Sequence, residues 1–118
     1  MNNWESIIKE AYTDWQTLYM HDTYDIMFSK LDRKHKDAVI LNNLSTTINN
    51  SGFKEWYANY SSEISEVVSA LKFVNTSKSL TLANMIIDKA NHKDIDDYFY
   101  KSCVIDDFHK YFDMVSNA

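Results

Sequence analysis

The sequence predicts an all-α fold, a single compact domain of about six or seven helices over residues 1–118. Three observations carry that expectation. Apolar residues recur at steps of three and four along nearly the whole chain, the mark of amphipathic helices. The chain contains one glycine and no proline. No segment alternates in the manner of a strand, and the short apolar run in "DAVILNN" lies inside a longer helical pattern.

In the first helix the stripe is Trp4, Ile7, Ile8, Ala11, Trp15 and Leu18, with Asn2 or Asn3 as its cap. Asp22 caps a second, shorter helix whose inner face is Tyr24, Met27, Phe28 and Leu31. A third runs from about Arg33 to Asn50 and presents Ala38, Leu41, Leu44 and Ile48. Gly52 then reads as its C-terminal cap in the left-handed conformation, which glycine takes without a steric penalty. Phe53 is expected to fold back on that last turn, and "FKEWYANY" to form a short aromatic helix plugging the core. Phe53 and Trp56 or Tyr57 are its expected buried residues.

The next helix carries Ile64, Val67, Val68, Leu71 and Val74, with Ser61 or Ser62 as N-cap and Glu63 and Glu66 at its positive end. Ser77 or Ser79 caps the following one, whose stripe is Leu80, Ala83, Ile86, Ile87 and Ala90. Asp94 opens a short turn with Ile95, Tyr98 and Phe99, and the last helix shows Val104, Phe108, Tyr111, Phe112 and Val115.

Composition places the chain among globular proteins, because aromatics at 14% supply a core that a disordered chain lacks. No apolar run approaches the roughly 20 residues of a membrane span. The start, "MNNWESIIKE", lacks the basic residues and unbroken apolar segment of a secretory signal. A lone Cys103 cannot form an internal disulfide and reads as a small buried apolar side chain. These features point to a cytoplasmic protein with no membrane partner.

The net charge of −5 is uneven: −4 over residues 1–28, +2 over 29–90 and −3 over 91–118. Acidic ends flank a mildly basic middle, the opposite of the excess a nucleic-acid binder carries. Direct nucleic-acid binding is therefore not expected.

Signatures of catalysis are lacking. One glycine cannot build a phosphate loop or a nucleophile elbow. His21, His35, His92 and His109 are scattered, and Cys103 and His109 stand six apart, awkward for a catalytic pair. Asp106, His109 and Asp113 share one helix face, yet acidic helix starts and exposed histidines are common, so no metal is assigned. The expectation is a non-enzymatic protein with no cofactor.

The acids are the remaining chemistry. Carboxylates on a rigid helical surface can stand in for phosphates and attract the Lys and Arg of a DNA-binding protein. Glu10, Asp14, Asp22, Asp25, Asp96, Asp97, Asp106, Asp107 and Asp113 form one such surface if the first and last helices pack side by side. The competing explanation is that they are solvated helix faces and caps.

The segment "NNSGFKEWYAN" resembles the signature of a small bacterial family of all-helical proteins that includes a DNA-mimic protein. Its pattern is Asn, a Gly pair and Phe, two mostly polar residues, two aromatics, a spacer and Asn. Asn50, Gly52, Phe53, Trp56, Tyr57 and Asn59 occupy matching places, while Ser51 replaces the first glycine and Glu55 stands where Gln is common. "EVVSALKFVN", "ANMIIDKA" and "IDDYFY" resemble its later helices, so the likeness covers roughly residues 37–115. It implies a cytoplasmic, non-enzymatic protein, able to form a homodimer, that occupies a DNA-binding partner's site. The expected partner is a transcription factor or host-defence nuclease, and the origin a phage or mobile element. An immunity or antitoxin protein neutralising a basic toxin is the alternative.

Overall fold

The computed structural model describes residues 2–18 and 28–116, with side chains over 2–13 and 28–116. Seven α-helices occur among them: α1 (Asn3–Leu18), α2 (Arg33–Ser51), α3 (Phe53–Tyr60), α4 (Ile64–Val74), α5 (Ser77–Ile87), α6 (His92–Ser102) and α7 (Val104–Ser116). A 3₁₀ turn, Ser61–Glu63, leads into α4. No strand occurs among the described residues, and the chain is an all-α globule. The first part of the short helix expected after Asp22, with Tyr24 and Met27, falls outside the described residues. Phe28 and Leu31 from its expected inner face are buried.

Helix α2 is the axis. Asp37, Ala38, Val39, Ile40 and Leu41 are all buried, although successive residues turn about 100° around a helix. Five consecutive buried positions cannot lie on one face, so α2 is enclosed, with α1, α3, α4 and α7 packed against it. The sequence stripe supplied Ala38, Leu41, Leu44 and Ile48; the fold adds Val39 and Ile40. Around this axis α4 pairs with α5, α3 with α6, and α7 closes the bundle against α1.

Trp4 joins three helices. Its ring stacks on Phe112 with centroids 5.3 Å apart and meets Phe108 edge-on at 6.0 Å. Its indole N–H donates to the Ala38 carbonyl at 3.0 Å, so the polar end of a buried side chain is satisfied. Tyr100, an exposed side chain, also ties α6 to α2, donating its hydroxyl to the Ile48 carbonyl at 2.9 Å.

Several helix starts differ from the expected ones. Asn2 caps α1 as predicted, its Oδ1 accepting from the Glu5 N–H at 2.8 Å. The cap of α5 is Thr76, one residue ahead of Ser77, the nearer of the two expected serines, in a capping box with Ser79, the other. Ser61 and Ser62 do not cap α4; they lie inside the 3₁₀ turn, and Glu63 precedes the helix without a side-chain cap bond. Helix α6 begins at His92 behind an Asn91 cap, so the expected short turn at Asp94 is a helix of 11 residues. Cys103 is exposed, not buried, and takes φ 56° between α6 and α7, the left-handed role foreseen for Gly52.

Gly52 has φ 88° as expected, but ψ 166° is extended rather than left-handed helical. The reason is spacing: α2 ends at Ser51 and α3 starts at Phe53, so one residue must reverse the chain. That region of the backbone map is open essentially to glycine alone. The Gly52 N–H still closes α2 by donating to the Ile48 and Thr47 carbonyls. Phe53 does not fold back as a loop residue; it opens α3 and is buried beside Trp56, with the rings stacked at 5.5 Å. Tyr57 is the aromatic left 40% exposed. Asn59 is also exposed and bonds within α3, donating to the Glu55 backbone and side-chain oxygens.

Among the described residues, no helix is long and apolar enough to cross a membrane.

Two substitutions test this junction. A Cβ on Gly52 would sit 3.1 Å from Asp96 Oδ2 at a φ that L residues avoid. Gly52→Ala should therefore cost about 1–3 kcal/mol in chemical denaturation, and an unchanged midpoint would exclude this account of the turn. Phe53→Ala should cost about 3–5 kcal/mol as a large-to-small core change. If that variant instead keeps full stability, Phe53 contributes nothing to the core.

Candidate functional site

The first and last helices do pack side by side, through Trp4 against Phe108 and Phe112 and through Asn3, whose Nδ2 donates to Asp113 Oδ1 at 3.1 Å. Helix α7 is held by the buried Val104, Phe108 and Phe112, which leaves its other side to solvent. Asp106 and Asp113 are exposed there. Seven residues make nearly two turns, so both carboxylates lie on the same side, about 10 Å apart along the axis. Asp107 is half-buried in a shallow groove with Thr76, Lys110 and Tyr111. Lys110 stands one turn from all three acids, so the strip is acidic but interrupted by one cation.

The other predicted acids are placed differently. Asp97, half-buried on α6, has Lys93 and Lys101 one turn to either side. Asp96 is drawn inward: its Oδ1 accepts the Phe53 N–H at 2.7 Å. It thus supplies, from a distant helix, the N-terminal cap that Gly52 has no side chain to provide. Glu10 turns toward the basic start of α2, its Oε2 lying 3.0 Å from His35 Nε2. Asp14 lies on α1 with its side chain outside the described residues, and Asp22 and Asp25 fall outside them altogether.

A buried polar cluster escaped the sequence reading. Asp37 is fully enclosed and pairs with Arg33, whose Nη2 lies 2.9 Å from Asp37 Oδ1 and whose Nε donates to the same oxygen at 3.0 Å. Glu66 from α4 stands 3.6 Å from the same guanidinium. Asp37 Oδ2 lacks a hydrogen bond of normal geometry, although the Tyr111 hydroxyl acts on the carboxylate. Burial raises the Asp37 pKa from 3.8 to about 6, against the opposing pull of Arg33. Burial also raises the Tyr111 phenol, with the Asp37 charge adding to the effect. The signal was present: Asp37, Leu41, Leu44 and Ile48 follow steps of four, three and four, which puts a carboxylate in phase with the apolar stripe.

The face shared by Asp106, His109 and Asp113 does not become a metal centre. His109 packs against the Trp4 ring at 4.9 Å, Asp113 is engaged by Asn3, and no group of three metal-ligating side chains converges among the described residues. What the arrangement offers chemically is a set of rigidly mounted carboxylates that accept charge-assisted hydrogen bonds from Lys and Arg.

Comparison with protein-family models, curated proteins and solved structures yields no match for this chain.

The Asp37 cluster makes a pH prediction. A carboxyl whose pKa is raised by folding binds protons more tightly in the folded chain, so its stabilising contribution is complete below pH 3.8 and is lost as the pH rises through about 6. That loss amounts to about 3 kcal/mol at neutral pH. Denaturation followed from pH 4 to pH 7.5 should show wild type losing stability relative to Asp37→Asn. Parallel profiles would mean that Asp37 titrates as an ordinary carboxyl.

Proposed function

We propose that this chain is a non-enzymatic interaction protein that covers the basic site of a DNA-binding protein with the acid-bearing side of α7. The observation that carries the reading is the mounting of Asp106, Asp107 and Asp113 on a helix anchored by three buried residues and by Trp4. Carboxylates about 10 Å apart along a rigid axis span the axial rise of about three nucleotides on one DNA strand. Rigidity matters because side chains ordered before binding lose less entropy on association. The net charge of −5 favours approach to a basic partner, and the likeness of the Asn50–Asn59 segment to a family containing a DNA mimic supports the same reading.

The local bonds refine the face. Asp96 and Glu10 serve contacts within the fold, whereas Asp113 stays exposed although it accepts one hydrogen bond from Asn3; the docking carboxylates are Asp106, Asp107 and Asp113 of α7, with Asp97 of α6. Single exposed ion pairs contribute about 0–1 kcal/mol each, so the face must act as a set.

The test begins with a pull-down from bacterial lysate, with and without competing duplex DNA, and identification of the captured protein. Converting Asp97, Asp106, Asp107 and Asp113 together to Asn should leave the helical content unchanged and weaken binding by about tenfold or more in low salt. The difference should shrink at high salt, where both proteins are screened. Full-strength binding by the quadruple variant would remove the acidic face from the mechanism. Capture that duplex DNA fails to compete would move the partner from a DNA-binding protein to another basic protein.

A further inference from the structure

The junction that buries Phe53 leaves a cavity of about 370 Å³ beside it. Its walls are Phe53 and Tyr57 of α3, Ile64 of α4, Ile86 of α5, Ala90 just beyond that helix and Ile95 of α6. A volume of this size falls within the roughly 300–1,000 Å³ of small-molecule sites, which pair apolar walls with a few polar groups. Two polar residues also border it, His92 and, at its exposed rim, Lys89. The His92 ring meets Phe53 edge-on at 5.1 Å and lies against Tyr57 at 5.1 Å, so its position is fixed by two aromatics.

Lys89 occupies an unusual place. It ends α5 in a Schellman turn, with the Ala90 N–H donating to the Met85 carbonyl at 2.9 Å and the Lys89 N–H to Ile86 at 3.2 Å. Its φ of 57° is the left-handed geometry that favours glycine, yet a long cation stands there. Lys89 has no ion pair among the described residues. The neighbouring Asp88 and Asp94 do not line the cavity. An unpaired cation and an imidazole therefore meet an otherwise apolar pocket.

We infer that this cavity binds a small amphipathic carboxylate, an aliphatic or aryl-aliphatic monocarboxylic acid. The tail lies among Phe53, Ile64, Ile86 and Ile95, where its burial drives binding. The carboxylate accepts from the Lys89 ammonium and a His92 ring N–H. A cationic ligand of the same length meets Lys89 with like charge, and a neutral one gains only the apolar contact. The pocket shares no residue with the acid-bearing side of α7, so the two readings stand or fall separately.

The full chain, labelled with ¹⁵N, should be titrated with octanoate, octan-1-ol and octylammonium while amide shifts are followed. Octanoate should shift Phe53, the Ile86–Ala90 turn and Ile95 saturably, and more tightly than either comparator. Lys89→Gln should weaken octanoate about threefold to fivefold and leave octan-1-ol unchanged. Ala90→Phe, which fills the cavity, should abolish the shifts while retaining a cooperative melt. Should that variant fail to fold, Lys89→Gln at the exposed rim still decides. Equal binding of all three probes, indifference of octanoate to Lys89→Gln, or no saturable shift with any probe would overturn the assignment.

Discussion

The rest of this structure depends on the enclosure of one helix. Because α2 is buried around its whole circumference at Asp37–Leu41, α1, α3, α4 and α7 are placed by the side of α2 they cover, and α5 and α6 attach to α4 and α3. Packing a helix on all sides demands neighbours at several angles, which short amphipathic helices provide and a flat sheet does not. Trp4 and Tyr100 show how the partners are locked to it. Each donates a hydrogen bond to a backbone carbonyl of α2, Trp4 from a buried ring and Tyr100 from an exposed one. The enclosure also explains why Asp37 is the most perturbed carboxyl among the described residues. A charge on the central helix has no route to bulk water, and Arg33 offsets only part of that desolvation.

At the other end of α2, one residue reverses the chain. Gly52 makes this possible, and the consequence reaches far along the sequence. A helix that starts directly after a glycine has no side chain at its own cap position, so its first N–H groups need a partner from elsewhere. Asp96, 43 residues from Phe53, is that partner. The Asn50–Asn59 segment and α6 are therefore one structural unit, held by a carboxylate that composition alone would count as surface charge. The apolar cavity beside Phe53 is a by-product of the same reversal, since α3, α5 and α6 meet there at their ends.

Charge in this protein thus has two fates. Asp37, Asp96 and Glu10 are engaged by Arg33, a backbone N–H and His35 respectively. Asp106, Asp107 and Asp113 stand on a helix whose opposite side is core, Asp113 staying exposed although it accepts from Asn3. That division, rather than the total of −5, defines which carboxylates stand at the surface in fixed positions.

Local pattern determined the fold class, the stripes on α1 as far as Ala11, on α4 and on α7, the Asn2 cap, the positive φ at Gly52 and the burial of Phe53 and Trp56. Each is legible because a 3.6-residue period or a steric restriction acts between near neighbours. On α5 the expected stripe included Ile87, which is exposed, and missed the buried Leu82. The central place of α2 was only hinted at by the run "DAVIL", since a stripe shows one face and enclosure needs the other helices in position. Which acids serve the fold and which stay at the surface was not legible at all. Asp96 and Asp97 are adjacent and chemically identical, yet only Asp96 meets the Phe53 N–H. Tertiary structure alone decided that difference, because the end of a distant helix lies within hydrogen-bond reach of one carboxylate and not of its neighbour.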